Sequence, residues 1–319
     1  MTPMRVAILG NPAGWHVGRL AAALRDRGHE ATPVRWSDLA AAIAGADERF
    51  APAAIDTAHL IVVRGMPGAE AEPEPEPRRP AGRSGGRLES VIFRMDVLAR
   101  LEARGTPVVN RPRPLELAID KYLSLARLAA AGIAVPRTVV CQDSAAVVRA
   151  WEEFGDSVVK PLFGSRGRGL ARIDGPAALG LWLSGPGSAA EPAVHYVQEF
   201  VRHPGWDARI LVVGRQWFAV RRTAAAGDWR TNLSRGGRAT PFEPPPGWVD
   251  LAGRAATVLG TEVAGVDLVE GADGRPLVLE VNAVPGWRGT AAATGADVAG
   301  TIVSHLEAVF AGRPRQDTW

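Results

Sequence analysis

Residues 265–282 read GVDLVEGADGRPLVLEVN, two apolar segments on either side of an Ala-Asp-Gly turn. This pattern predicts a β-hairpin. Because side chains alternate along a strand, Glu280 and Asn282 share one face, and the hairpin can bring Asp267 beside them. Carboxylate and amide oxygens are the ligands that Mg²⁺ prefers, and a carboxylate in an apolar strand is costly unless a partner compensates its charge. We therefore predict a metal site of Asp267, Glu280 and Asn282; the exposed face of an edge hairpin is the alternative.

Composition and charge limit the classes of protein that fit the chain. Its 319 residues suffice for two or three domains, and 46% hydrophobic with 22% charged residues is ordinary for a soluble protein. Residues 4–9 are typical of a strand rather than a signal peptide, no segment is apolar enough for a membrane span, and the lone Cys141 excludes an intramolecular disulfide. We therefore expect a cytoplasmic protein with no membrane partner. A net charge of +3, without a basic stripe interleaved with aromatic residues, argues against nucleic acid as a partner.

Residues 1–110 are predicted to form an α/β domain with a parallel sheet, because strand-like segments at 4–9, 32–36 and 59–64 alternate with a helix at 14–27. Residues 70–87 contain Glu-Pro repeats and a basic stretch but almost nothing apolar to bury, so we predict a disordered insertion there.

The rest of the chain is predicted to be α+β in two parts, a small subdomain at 111–195 and a larger one at 196–319. One helix is expected at 115–131, and a larger antiparallel sheet is expected to carry the metal site. The predicted strands are 137–141, 157–161 and 170–173 in the small part, then 196–201, 208–213, 216–222, 264–270 and 276–282 in the large part.

A predicted strand delivers Lys160 into the glycine-rich segment 163–169, FGSRGRG. Glycines let backbone N–H groups approach phosphate oxygens, and the lysine adds a positive charge. The segment lacks the Gly-Lys-Ser/Thr run of a Walker A loop and the GxGxxG of a dinucleotide fold. A hairpin turn with a surface lysine is the alternative.

Two further segments carry polar groups suited to a nucleotide. Residues 228–237, DWRTNLSRGG, place arginines beside an asparagine and a double glycine, which is typical of a phosphate or oxyanion clamp. A solvated basic loop is the alternative. Residues 196–201, YVQEFV, form a strand whose acidic residue and backbone could bind an adenine edge, although this pattern alone is weak.

Together, and in this order, the segments resemble the ATP-grasp superfamily, and more closely its RimK-like branch of α-L-glutamate ligases. The resemblance extends over about residues 110–309. Its matching motifs begin at Asn110 and Asp120-Lys121-Tyr122 and continue through Lys160-Pro161, Gly164-Ser165-x-Gly167-x-Gly169, Gln198-Glu199-Phe200, Asp207-x-Arg209, Arg230-x-Asn232-x-x-Arg235-Gly236-Gly237, Gly265-Val266-Asp267 and Glu280-Val281-Asn282-x-x-Pro285-Gly286.

The resemblance implies an ATP-grasp fold behind the N-terminal parallel-sheet domain. It implies ATP and two Mg²⁺ ions as cofactors, with Mn²⁺ as a substitute, and a role for each matched residue. Lys121, Lys160, Ser165 and Gly167 would contact the ATP phosphates; Gln198, Glu199, Phe200 and the backbone of Val201 the adenine; Asp207 the ribose; Arg230 and Asn232 the phosphates and acyl group; Arg209 and Arg235 the substrate; and Asp267, Glu280 and Asn282 the metal ions.

The implied reaction joins a carboxylate to an amine. A carboxylate would attack the γ-phosphate to form an acyl-phosphate, and the α-amino group of glutamate would then displace phosphate, with arginines such as Arg230 and Arg235 neutralising charge. A tetrahydromethanopterin-like cofactor, a protein C-terminus and other small molecules or amino acids remain as partners. A homo-oligomer, dimer or tetramer, is an alternative to a monomer. A non-catalytic nucleotide-binding regulatory protein is the alternative of another class.

Trp287 and Arg288 depart from the ribosomal-protein ligases of the branch. Trp287 could stack on a flat substrate ring, and Arg288 could pair with a substrate carboxylate. The run resembles branch members associated with methanopterin-type cofactors, which offer both groups. Packing of Trp287 between domains is the alternative.

Overall fold

The computed structural model describes residues 2–68, 84–162, 169–185 and 194–312. Its N-terminal part contains a four-stranded sheet whose neighbouring strands are all parallel, which confirms the prediction. The elements are β1 (Arg5–Leu9), α1 (Trp15–Asp26), β2 (Glu30–Val34), β3 (Ala40–Ala44), β4 (Asp47–Ala51), α2 (Ala53–Asp56), β5 (Leu60–Val63), α3 (Ser84–Ala103) and β6 (Val108–Val109). The order of strands in the sheet is β2-β1-β5-β6.

Two features of this part differ from the sequence prediction. Strands β3 and β4 form an antiparallel hairpin that was not predicted. All five residues of β3 are exposed, and four of them are alanine, so no apolar alternation marks the strand. Helix α3 begins at Ser84, so residues 84–87 of the predicted insertion are helical. The remainder of that insertion lies outside the described residues.

The middle part forms a second four-stranded sheet, of order β7-β10-β8-β9. Strand β10 pairs antiparallel with both β7 and β8, so the predicted boundary between residues 195 and 196 cuts a central strand and must move beyond Glu199. The elements are α4 (Pro112–Ile119), α5 (Lys121–Ala130), β7 (Thr138–Cys141), α6 (Ser144–Phe154), β8 (Ser157–Pro161), β9 (Ala171–Ile173), α7 (Pro176–Ser184) and β10 (His195–Glu199).

The single helix predicted at 115–131 is two helices, α4 and α5, separated at Asp120. The Asp120 carboxylate accepts a hydrogen bond of 3.0 Å from the Leu123 N–H and caps α5. This cap places Lys121 at the first position of α5.

The last part is a five-stranded antiparallel sheet of order β13-β12-β11-β14-β15. The elements are β11 (Trp206–Val213), β12 (Gln216–Thr223), β13 (Arg238–Pro241), α8 (Trp248–Leu259), β14 (Val263–Glu270), β15 (Pro276–Asn282), α9 (Arg288–Thr294) and α10 (Val298–Ala311). Among the residues described, no helix is long and apolar enough to cross a membrane.

The N-terminal sheet is buried on both faces, and its two cores reach different parts of the chain. Val6 and Ile8 belong to a core shared with α1 and α10, whereas Ala7 and Leu9 belong to the core on the opposite face. The first core also contains Trp287, so the C-terminal segment packs against the N-terminal domain. This packing brings the loop after β15 to the carboxyl ends of the parallel strands, which is where open α/β sheets bind ligands.

Candidate active site

The hairpin of β14 and β15 brings the three predicted metal ligands together. In the strand register, Asp267 lies opposite Glu280 and Gly265 lies opposite Asn282. The register shifts between Asp267 and Leu268, at an irregularity beside the carboxylate. The side chain of Glu280 is 45% exposed and that of Asp267 only 5%. One carboxylate is therefore accessible while its neighbour is held within the sheet; we call the region around Glu280, Lys160 and Lys121, whose charges interact, the cleft.

Two arginines hold the Asp267 carboxylate. Arg209 donates to it from Nε and Nη2, at 2.6 and 2.7 Å, and Nη2 of Arg222 lies 2.8 Å from Oδ2. Burial alone would raise the pKa of Asp267, but the two guanidinium groups more than offset this and hold the pKa at about 2. Asp267 is therefore ionised throughout the physiological pH range.

The environment of Glu280 suits a cation. Desolvation and the neighbouring Asp267 carboxylate raise the pKa of Glu280, and Arg209, Lys160 and Lys121 oppose the shift. Since like charges side by side are unfavourable, a bound cation would stabilise the ionised pair. Asn282 Oδ1 accepts 2.9 Å from the Val284 N–H and keeps a second lone pair for a ligand.

This donor set consists of two carboxylates and one amide. Accordingly, across the described ranges no group of three or more His, Cys, Asp and Glu side chains is arranged to bind a metal. Few carboxylates are typical of Mg²⁺ sites in which substrate phosphates complete the coordination. The oxygen donors suit Mg²⁺ bound together with a nucleotide: Glu280 is accessible for this, whereas both oxygens of Asp267 are engaged by Arg209 and Arg222.

Lys160 and Lys121 lie in the same cleft. Lys160 Nζ donates 2.6 Å to Gln198 Oε1, and Lys121 Nζ donates 3.0 Å to the Leu162 carbonyl. Burial lowers the pKa of Lys160 to about 8, although Glu280 partly offsets the shift. Gln198 is itself fixed, because its amide donates to Tyr196 and to Thr138. The predicted phosphate contacts Ser165 and Gly167 lie outside the described residues.

The segment predicted to hold adenine lies at the end of β10. Glu199 accepts 2.8 Å from Arg137 Nε, and its side chain is 35% exposed. Phe200 follows, with the Arg172 guanidinium 3.8 Å from its ring centroid and the Trp229 ring packed edge-on at 5.7 Å. Trp229 belongs to the predicted phosphate loop, so this contact joins the loop to the adenine segment. Val201 is half-buried beside it.

The loop at 228–237 folds around Asp228. Arg230 donates to this carboxylate at 2.9 Å and Arg235 at 3.3 Å, which holds the pKa of Asp228 well below its usual range. Asn232, which lies between the two arginines in the sequence, is half-buried. A Cβ on Gly237 would lie 2.8 Å from the Thr231 carbonyl, so the tight closure of this loop requires glycine there.

Asp207, predicted to bind ribose, is 4% exposed and engaged at both oxygens. Arg222 donates to Oδ1 and Oδ2 at 2.7 and 2.5 Å, and the Thr231 hydroxyl donates to Oδ2 at 2.7 Å. The ribose contact remains a prediction. Sequence reasoning missed Arg222, because no motif marks it; the signal available was its position in β12 directly opposite Asp207.

Trp287 is 1% exposed and packs against Trp15 and His16 of the N-terminal domain, with ring centroids 4.7 and 5.2 Å apart. This corrects the predicted contact with a substrate ring: the indole fills the interdomain core, which is the alternative interpretation. Arg288 is exposed, with its guanidinium 5.7 Å from the centroid of the Trp15 ring. The backbone N–H groups of Trp287 and Arg288 both donate to His16 Nε2, at 3.0 and 3.3 Å.

Residues 118–306, which contain every predicted site residue, match the sequence profile of the RimK-like ATP-grasp domain. The chain belongs to the RimK-like ATP-grasp family. Among curated proteins, it is 37% identical over 251 residues to the tetrahydromethanopterin:alpha-L-glutamate ligase of Methanosarcina acetivorans, covering 70% of this chain and 78% of the relative. It is 40% identical over 227 residues to a probable alpha-L-glutamate ligase of Xanthomonas campestris, covering 66% and 73% of the two chains.

Solved structures of the same fold match nearly the whole chain. The ATP-grasp ligase PsnB in complex with a minimal precursor superposes with a TM-score of 0.73 at 27% identity, covering 96% of this chain and 99% of PsnB. A PsnB complex with a phosphomimetic precursor variant, Mg and ADP gives a TM-score of 0.70 at 26% identity, covering 97% and 99%. This RimK-like ATP-grasp protein is thus a ligase, and its family uses ATP and Mg²⁺.

Proposed function

We propose that this ligase joins the α-amino group of L-glutamate to a carboxylate of a small-molecule cofactor of the tetrahydromethanopterin type. The observation that carries the proposal is the strand pairing that sets Asp267 opposite Glu280, with Lys160 and Lys121 close enough to Glu280 to lower its pKa. Paired acids beside paired bases suit a polyphosphate with its metal ions. The similarity to the tetrahydromethanopterin:alpha-L-glutamate ligase of Methanosarcina acetivorans supports glutamate as the amine and a cofactor as the acceptor.

The metal ligands of the proposal are Asp267, Glu280 and Asn282. Mg²⁺ bound there would neutralise charge on the phosphate oxygens. Lys160 and Lys121 would bind the phosphates, because both ammonium groups lie close enough to Glu280 to lower its pKa and can bind an anion there. Two ions rather than one, and Mn²⁺ as a substitute for Mg²⁺, are part of the proposal.

The reaction requires no side-chain nucleophile. An acceptor carboxylate oxygen attacks the γ-phosphorus of ATP, the bond to the β-γ bridging oxygen breaks, and an acyl-phosphate and ADP form. The glutamate nitrogen then attacks the acyl carbon, phosphate leaves, and the amine loses a proton to solvent. Arg230 and Arg235, which here pair with Asp228, would instead bind the transferring phosphoryl group or the acyl group. Their positive charges would stabilise the negative charge that develops on that group.

Arg288 is our candidate for recognition of the acceptor. Its guanidinium is exposed beside the Trp15 ring, and its backbone is fixed by His16. It follows the metal ligand Asn282 by six positions, at the junction with the N-terminal domain. A planar guanidinium beside an aromatic ring suits a ligand that carries both a ring and a carboxylate.

A protein C-terminus and other amino-acid or small-molecule pairs are the alternatives within the ligase class. A non-catalytic regulatory protein would need no intact metal site, whereas all three donors and both lysines are present here. We also propose a cytoplasmic location, from the single cysteine. For the assembly, a dimer or tetramer remains an alternative to a monomer.

The test is a matrix of acceptors and amines with Mg²⁺-ATP, followed by phosphate release and by mass spectrometry of the products. The acceptors are a carboxylate-bearing pterin, a peptide and a simple dicarboxylic acid, each offered with glutamate and with other amino acids. We expect phosphate release and a product heavier by one glutamyl unit with the pterin and glutamate only. The Glu280→Ala variant should be inactive with its fold intact. Absence of phosphate release with every pair would favour the regulatory protein.

A further inference from the structure

Arg222 lies buried between two carboxylates that belong to different strands. Its guanidinium binds Asp207 through Nε and Nη2, and Nη2 also lies 2.8 Å from Asp267 Oδ2. The three side chains are only 5%, 6% and 5% exposed. Arg209 supplies a second positive charge beside Asp267, and its Nη2 also lies 3.6 Å from Glu280 Oε1.

The strand register makes this arrangement reproducible. Asp207 lies opposite Arg222 in the pairing of β11 with β12, and Arg209 lies opposite Asp267 in the pairing of β11 with β14. Backbone pairing therefore fixes the Cα positions of the four residues, and the bidentate bonds fix the positions of their charged groups. Such paired, forked contacts constrain orientation more strongly than single contacts do.

A hydrogen bond from an uncharged side chain connects the cluster to the predicted phosphate loop, residues 228–237. Thr231 donates 2.7 Å from its hydroxyl to Asp207 Oδ2 and is 8% exposed. It lies between Arg230 and Asn232, the two residues expected to contact phosphates and the acyl group. A continuous chain of bonds thus runs from that loop through Asp207 and Arg222 to the carboxylate of the hairpin.

We propose that Arg222 is a positioning residue of the ligase. Held by Asp207, it orients the Asp267 carboxylate, and through Thr231 it keeps the phosphate loop aligned with the hairpin. The inference rests on the proposed function, in which Asp267 binds a metal ion. It assigns a role to one residue that no motif identified and a second role to Asp207.

Arg222 should also affect the affinity of the site for a metal ion. A positive charge next to Asp267 repels a cation, so the protein without nucleotide should bind a divalent metal weakly. Removing the charge of Arg222 should tighten this binding, because a unit charge at such distances contributes an energy well above RT. The same change should slow catalysis, since loss of groups that orient a metal ligand typically costs about 10- to 100-fold. Loss of a residue needed only for folding would weaken metal binding and catalysis together, rather than tighten the first and slow the second.

The experiment compares wild type with Arg222→Gln, Arg222→Lys and a matched control, Arg221→Gln. Arg221 is the adjacent arginine of the same strand, but its guanidinium stacks on Trp206, 4.3 Å from the ring centroid. The Mn²⁺ dissociation constant is measured by electron paramagnetic resonance with and without ADP, and kcat and KM for ATP are measured alongside. Circular dichroism establishes that each variant is folded.

For Arg222→Gln we expect a Mn²⁺ dissociation constant without ADP that is about tenfold lower, with kcat about 10- to 100-fold lower. Arg222→Lys keeps the charge and compensates Asp207 but loses the forked bridge, so kcat should fall with Mn²⁺ binding unchanged. The control should change neither. Wild-type kcat and KM in Arg222→Lys, or unchanged Mn²⁺ binding in Arg222→Gln, would overturn the proposal. Mn²⁺ binding with ADP in a wild-type protein that ligates nothing would instead contradict the proposed function alone.

Discussion

Replacing Asn110 with alanine should loosen the hairpin of β14 and β15 from the linker between the N-terminal domain and the ligase fold. Asn110 is 2% exposed and forms four hydrogen bonds. Its Nδ2 donates to the carbonyls of Val263 and Ala283, at 2.7 and 2.6 Å, and its Oδ1 accepts from the N–H groups of Glu262 and Val263, at 2.7 and 3.0 Å. One side chain is therefore hydrogen-bonded to the beginning of β14 and to the residue that follows β15.

The expected cost follows from these contacts. Each hydrogen bond contributes about 1 kcal/mol net, but a buried donor or acceptor left without a partner costs about 1–3 kcal/mol. With four backbone groups deprived of one partner, Asn110→Ala should lower the free energy of unfolding by about 3–5 kcal/mol. Asn110→Asp should also destabilise, because a carboxylate would face two carbonyl oxygens, and this loss should be partly relieved at low pH when the acid is protonated.

Urea denaturation measures the global effect, and hydrogen exchange of the Glu262 and Val263 amides measures the local one. Both amides should exchange faster in the variant than in wild type. Asn11→Ala is the matched control, because Asn11 is exposed and accepts a single bond of 3.0 Å from the Ala13 N–H. It should change stability by no more than about 0.5 kcal/mol. A loss below about 1 kcal/mol for Asn110→Ala, with unchanged exchange of both amides, would refute the reasoning.

Three further predictions concern the cleft and its surroundings. Because burial lowers the pKa of Lys160 to about 8, kcat/KM for ATP should fall as pH rises through that value, and Lys160→Arg should remove this decline; a flat profile in wild type would contradict it. Asp228→Asn should release the two loop arginines and lower KM for ATP, measured by phosphate release; a higher KM would mean that the acid orders the loop for binding. Trp287→Ala should cost about 3–5 kcal/mol of stability by opening a cavity, whereas Arg288→Ala should raise KM for the acceptor with stability unchanged; the opposite pairing in denaturation and kinetics would reverse their roles.

The local sequence pattern was sufficient to predict the structure where the geometry depends on neighbouring elements of the chain. Alternation along β15 put Glu280 and Asn282 on one face, and the turn at 271–275 returned the chain so that Asp267 lies opposite Glu280. The parallel N-terminal sheet followed from the alternation of strands and helices in the same way. In both cases the information lies within a few tens of residues, so no long-range packing had to be known.

Side chains whose partners are remote in sequence could not be placed by such reasoning. Trp287 looked free to contact a substrate, but its position depends on the α1 segment some 270 residues earlier, which covers it. The small sheet was divided wrongly because β10 pairs with β7 and β8, and no local signal specifies those partners.

Asp207 shows that a residue in a ligand-binding motif can be engaged by another side chain of the protein. Its motif implied a nucleotide contact, yet the register of β11 with β12 sets a buried arginine directly opposite it. A buried carboxylate in that position must be compensated, and Arg222 does so at the expense of both oxygens. Since the same arginine also contacts Asp267, our proposal gives Asp207 an indirect role in positioning that carboxylate, beside the ribose contact that its motif predicts. The order of the motifs along the chain identifies the family, but which side chains meet the substrate is decided by the register of the strands between them.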